Sequence, residues 1–235
     1  MIACAGYDFV ILDMEHLPHD EERLQHCIHL AQSHGCAPLV RVPNAATKRI
    51  GRVLDLGAHG IVLPQVESIA EVTAARDAMR FPPLGRRGIT GGGVTGFGTR
   101  PLDAYCRQAN QGLMLIPMIE SAAGLAILDD LLALDGVAMI LEGRWTWRSA
   151  GARRTAYAPT GDPSAAPHRP PLPRRRRPLL RQPRSERQRD YWLRSGIDAW
   201  LCGEDRGLLF RALRQRRDDL RTAASRGPRA TDLSL

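Results

Sequence analysis

The chain has 235 residues, 43% of them hydrophobic, enough for one α/β barrel or at most two small domains. No apolar run approaches the roughly 20 residues of a membrane span, and the N-terminus lacks the basic and apolar blocks of a signal peptide. Five singly scattered cysteines (Cys4, Cys27, Cys36, Cys106, Cys202) suggest reduced thiols in a cytoplasmic protein. The net charge of +8 invites a polyanion partner, yet ten arginines against one acid between Arg144 and Arg181 account for +9. The rest of the chain is close to neutral, so no specific nucleic acid and no membrane is expected as a partner.

Phe9-Val10-Ile11-Leu12 is a short continuous apolar run, as suits a strand buried on both faces of a parallel sheet. Asp13, Glu15 and His16 follow where that strand would end, the edge on which α/β folds collect ligands and catalytic groups. An acid there also serves as a plain helix cap. Asp20 is placed to cap a helix with Leu24, Cys27, Ile28 and Ala31 on one face. Ala37 to Pro43 reads as a second strand carrying Arg41. Asn44 is expected to cap a helix that buries Ile50, Val53 and Leu54 and stops at Gly57. Gly60 to Val66 reads as a third strand, and Ser68 with Glu71 as the capping box of a helix through Met79.

The glycine-rich stretch Gly85 to Gly98 lacks the Gly-Lys-Ser/Thr ending of a phosphate-cradling loop. It reads as a mobile active-site or subunit-contact loop, with a plain surface loop as the alternative. Leu113 to Glu120 is a fourth strand ending in an acid, Ser121 to Leu134 a helix, and Val137 to Gly143 a fifth strand. Arg144 to Arg181, with seven prolines and almost no periodic apolar residues, breaks the pattern. Order returns with a helix capped by Ser185, a strand over 197–203 and an amphipathic helix from Gly207 to Leu220. The strand–helix alternation favours a (β/α)8 barrel over an open sheet. The expected organisation is a barrel N-terminal part (1–143), an irregular segment (144–181), a barrel C-terminal part (182–222) and a tail (223–235).

Five stretches carry a family resemblance: Leu12-Asp13-Met14-Glu15-His16, Leu39-Val40-Arg41-Val42-Pro43, Gly60-Ile61-Val62-Leu63-Pro64, Pro82 to Gly88, and Pro117-Met118-Ile119-Glu120. In these the chain resembles the HpcH/HpaI aldolase and citrate lyase family of metal-dependent class II pyruvate aldolases, over 6–143 and again over 183–220. The loop from Thr90 to Gly98 and the Glu142-Gly143 ending look closer to its siderophore-pathway citrate synthases. The resemblance implies a phosphoenolpyruvate/pyruvate-type barrel, a homo-oligomer, and a small 2-oxo acid, pyruvate or oxaloacetate, as substrate. It implies Mg²⁺ or Mn²⁺ as cofactor with Glu120 as a ligand. Arg41, with Gly143, would bind the substrate, Arg41 holding its carboxylate or enolate oxygen. His16 would be the general acid/base, with Asp13 orienting its imidazole.

Two departures stand out. The family begins one helix and one strand earlier, which implies a missing first strand. Its second metal carboxylate lies in a Gly-x-x-Asp-Leu motif, which here reads Gly143-Arg144-Trp145-Thr146-Trp147, with Thr146 in place of the aspartate. A codon string GCG-CTG-GAC-CTG-GCG-C encodes Ala-Leu-Asp-Leu-Ala. Read one base later, the same bases encode Arg-Trp-Thr-Trp-Arg, residues 144–148 as they stand. Residues 144–181 therefore read as a frameshifted segment of a GC-rich gene. The alternatives are an arginine-rich insert binding RNA or acidic lipid, and a non-catalytic remnant whose basic segment binds polyanions.

Overall fold

The structure, a computed structural model, describes residues 1–143, 179–181, 186–194 and 199–225. Seven strands follow one another across a single sheet in chain order: β1 (Phe9–Asp13), β2 (Ala37–Arg41), β3 (Gly60–Leu63), β4 (Met114–Ile119), β5 (Ile140–Glu142), β6 (Leu179–Arg181) and β7 (Ala199–Trp200). Every neighbouring pair is parallel. A doubly wound sheet would reverse its order at a switch point. This one does not, and with helices between the strands it forms part of a (β/α)8 barrel.

Among the described residues, the α-helices between strands are α1 (Glu21–Ser33), α2 (Thr47–Asp55), α3 (Ile69–Met79), α4 (Leu102–Gly112), α5 (Ala122–Ala126), α6 (Leu128–Ala133) and α7 (Glu186–Arg194), and α8 (Asp205–Ser225) follows β7. Asp20 caps α1 by accepting from the Arg23 N–H at 2.7 Å, and Ser68 caps α3 by accepting from the Glu71 N–H at 3.3 Å. Among the described residues no helix is long and apolar enough to cross a membrane.

Successive strand residues point to opposite faces, and here the two faces form two separate cores. Val40, Ile61, Leu63, Leu115, Ile119 and Ile140 point outward and pack under Leu24, Ile28, Ile50, Val53, Leu54 and Val72 of the helices. Leu39, Val62, Ile116, Met118, Leu141 and Leu180 point the other way and fill the barrel interior with Phe9 and Ile11. Fully burying one such aliphatic side chain is worth roughly 1.5–3 kcal/mol.

Several expectations are corrected. Asn44 does not cap α2: its side chain accepts from the Ala46 N–H at 3.1 Å in a local turn, and α2 starts at Thr47. The helix expected from Ser121 to Leu134 divides at Ile127 (φ −99°, ψ 10°) into α5 and α6. α4 carries no sequence expectation, although Leu102, Tyr105, Cys106 and Ala109 recur at helical spacing; it leaves no residue fully buried. Asn110 of α4 instead clamps the backbone of Phe81, accepting from its N–H at 2.7 Å and donating to its carbonyl at 3.1 Å. At the end of the segment expected to be irregular, Leu179–Arg181 joins the sheet as β6, because Leu180 completes the inner core and is fully buried. The expected cap Ser185 and the 226–235 part of the tail lie outside the described residues.

Candidate active site

The side-chain parity that sends Phe9 and Ile11, Leu39, and Ile116 and Met118 into the barrel places Asp13, Arg41 and Glu120 next in the same rows, at the carboxyl ends of β1, β2 and β4. Asp13 and Arg41 are direct register partners across the first strand pair. The guanidinium grips the Asp13 carboxylate along one edge of its fork, Nε to Oδ1 at 2.9 Å and Nη2 to Oδ2 at 2.6 Å. Its Nη1 lies 3.2 Å from Glu15 Oε2. Asp13 Oδ1 also accepts from the Glu15 backbone N–H at 2.9 Å, which folds the β1 loop back over the site.

Burial alone would raise the Asp13 pKa, but the Arg41 hydrogen bonds and charge, together with the Glu15 and His16 N–H groups, hold it below the ordinary carboxylate value. Burial would likewise lower that of Arg41, and the pairing with Asp13 and the charges of Glu15 and Glu120 raise it instead. Glu120 behaves oppositely to Asp13. Burial pushes its pKa up and the Glu15 charge adds to this, while the Gln65 N–H, Arg41 and His16 do not offset the rise.

Gln65, just past β3, has a left-handed backbone (φ 51°). Its backbone N–H donates to Glu120 Oε2 at 3.0 Å, and its Nε2 donates to Glu15 Oε1 at 3.0 Å. Gly143 closes the other side: a Cβ there would collide with the Glu120 side chain and force that carboxylate to shift. His16 lies at the mouth with its side chain 64% exposed and its Nε2 3.5 Å from Glu15 Oε2. Asp13, expected to orient the imidazole, faces Arg41 instead, and the carboxylate beside the His16 ring is that of Glu15. Glu15 stood only among the expected strand-end groups, without a role, and Gln65 had no sequence signal at all. Positive φ at a glutamine is visible only in the folded backbone.

Two carboxylates at the mouth, Glu15 and Glu120, are of the chemical kind that a hard divalent cation of the Mg²⁺ class takes. Glu15 and Glu120 repel one another, and the buried Glu15 Oε2 has Arg41 Nη1 at 3.2 Å and His16 Nε2 at 3.5 Å as its charged neighbours. One or two carboxylates completed by water and substrate oxygens is an ordinary Mg²⁺ set. Among the described residues there is no group of three or more His, Cys, Asp or Glu side chains able to hold a metal. Thr146, at the position expected for a further ligand, lies outside them.

A family model for HpcH/HpaI aldolase/citrate lyase matches residues 1–145, which contain every group of this site. The chain belongs to the HpcH/HpaI aldolase/citrate lyase family. That match does not extend to 183–220, the second stretch in which a resemblance was expected. It is 35% identical over 140 residues to 2-dehydro-3,6-dideoxy-6-sulfogluconate aldolase of Pseudomonas putida, covering 59% of this chain and 54% of that protein. It is 31% identical over 135 residues to 2-keto-3-deoxy-L-rhamnonate aldolase of Salmonella gallinarum, covering 57% of this chain and 51% of the relative. The chain thus spans about half the length of the curated relatives it matches. Among solved structures, citrate synthase SbnG superposes with a TM-score of 0.77 at 27% identity, covering 95% of this chain and 88% of the other. An HpcH/HpaI aldolase from Desulfitobacterium hafniense DCB-2 shares the fold with a TM-score of 0.80 at 23% identity, over 93% of this chain and 85% of that one.

Proposed function

We propose that this chain performs aldolase-type carbon–carbon bond chemistry on 2-oxo acids through the enolate of a pyruvate-like substrate. The observation that carries this reading is the meeting of Arg41, Glu120, Glu15 and His16 at one mouth of the barrel. Arg41 is locked along one edge by Asp13, and its remaining N–H groups serve to bind a substrate carboxylate or enolate oxygen. His16, exposed and beside Glu15, is suited to carry a proton between the substrate carbon and solvent. Glu120 and Glu15 would hold Mg²⁺ or Mn²⁺, which supplies Lewis-acid polarisation of the 2-oxo group when bound.

The chain as written is an impaired form of this enzyme. The family match ends at residue 145, next to Thr146, where the resemblance places an aspartate. The frame-changed reading of 144–181 accounts for both facts. Proton–deuterium exchange at the pyruvate methyl, with added Mg²⁺ or Mn²⁺, tests the proposal. The written chain should exchange slowly, and a chain with the inferred frame restored should exchange fast. If neither exchanges, the enolate chemistry is wrong. If both exchange equally, the lost ligand is.

Citrate synthesis from an enolate and oxaloacetate is the second reading, favoured by the likeness to citrate synthase SbnG over 95% of this chain. Formation of citrate by the restored chain, with no retro-aldol release of pyruvate, would select it.

A further inference from the structure

Gln65 combines features that an ordinary surface residue does not. Its φ of 51° is a conformation that side chains other than glycine, asparagine and aspartate rarely adopt. It is nonetheless held between two anchored neighbours. Pro64 and Val66 are both buried, and the Val66 N–H donates to the Met118 carbonyl at 3.2 Å. The left-handed turn aims the backbone N–H of Gln65 at Glu120 Oε2 and sends the side-chain amide to Glu15 Oε1, each at 3.0 Å. A glycine would relieve the strain and lose the amide, while an asparagine would tolerate the backbone with one methylene less of reach. Glutamine is the residue that supplies both donors.

We propose that Gln65 is the positioning residue of this site, holding Glu120 by its backbone N–H and Glu15 by its amide so that two like-charged carboxylates keep a fixed spacing at the barrel mouth. The assignment rests on the reading of Glu120 and Glu15 as the working carboxylates. Without the amide, Glu15 Oε1 loses its bond to Gln65, and no other hydrogen bond from the described residues on the Glu120 side holds it. Repulsion between the two acids, together with the attraction of Arg41 3.2 Å away and of the His16 ring, then draws the Glu15 carboxylate out of the pair.

The full chain and its Gln65→Gly and Gln65→Asn variants would be compared by thermal unfolding, by crystal structure, and by Mn²⁺ binding read from water-proton relaxation. Gln65→Gly should unfold at the same temperature or higher, since glycine adopts positive φ freely. Its Glu120 should stay on the backbone N–H while Glu15 leaves its place, and Mn²⁺ affinity should fall about tenfold, the low end of what loss of an outer-shell partner costs. Gln65→Asn should restore part of that affinity. Glu15 unmoved in Gln65→Gly would overturn the proposal, as would a variant whose stability falls along with its Mn²⁺ affinity. Movement of Glu15, with no Mn²⁺ bound by any of the three proteins, would uphold the positioning role and count against the metal reading instead.

Discussion

The first five strands and the last two are built to different standards. From Phe9 to Glu142, β1 to β5 are backed by helices that bury Leu24, Ile28 and Ala31 on α1, Ile50, Val53 and Leu54 on α2, and Val72 and Ala75 on α3. Beyond residue 143, the described residues bury Leu180 in β6, and β7 is described over two residues. The 21 residues of α8 bury none, and Leu209, Phe210, Leu213 and Leu220 stand 55–65% exposed. Every group of the candidate site belongs to the first region, as does the family match. Strand pairing thus persists in β6 and β7, whereas the apolar residues of α8 stay exposed.

Restoring the inferred reading frame across 144–181 should change most, because it would give the second region the same basis as the first. Methyl exchange of pyruvate with Mn²⁺ should rise at least about a hundredfold, the scale on which loss of a preorganised charge acts. Equal rates would mean that the first region suffices alone. Within that region, Arg41→Ala leaves the Asp13 and Glu15 carboxylates facing each other with their side chains 15% and 8% exposed. A loss of about 3 kcal/mol in urea denaturation is expected, as when one partner of a buried pair is removed.

Three alanine substitutions measure the two cores directly. Ile61→Ala and Leu180→Ala should each cost about 3 kcal/mol, since both side chains are fully buried, one in each core. Leu213→Ala, on the exposed face of α8, should stay within about 0.5 kcal/mol. A Leu213 effect as large as that of Ile61 would abolish the contrast.

The smallest expected effect is one of pH. Asp13 titrates below its unfolded value of 3.8 because Arg41 and two backbone N–H groups outweigh its burial. Its pairing therefore contributes stability that is complete above that unfolded value and is lost as pH falls through the lower folded value. The urea midpoint of the unmodified chain should drop in acid below about pH 4 by more than that of Asp13→Asn. Parallel curves would show that the pair adds nothing.

Much of the first region is legible along the chain. Apolar runs of four to six residues locate β1 to β4, Asp20 and Ser68 mark two helix starts, and the acids and arginine at strand ends name Asp13, Arg41 and Glu120. These signals are local: burial sets the period, and a cap needs only its own turn. Strand–helix alternation pointed to the barrel, and the family motifs added the expected roles.

Tertiary structure alone decided who faces whom. The parity that fills the barrel with Leu39, Val62 and Ile116 determines that Arg41 meets Asp13, 28 residues away, so the imidazole of His16 lies beside Glu15 instead. The bridging by Gln65 rests on a backbone angle that no propensity favours for glutamine, and the fit of Gly143 rests on a carboxylate 23 residues earlier in the chain. Register and packing between distant strands are not written in any single segment. They emerge only when two faces of one sheet must both be filled.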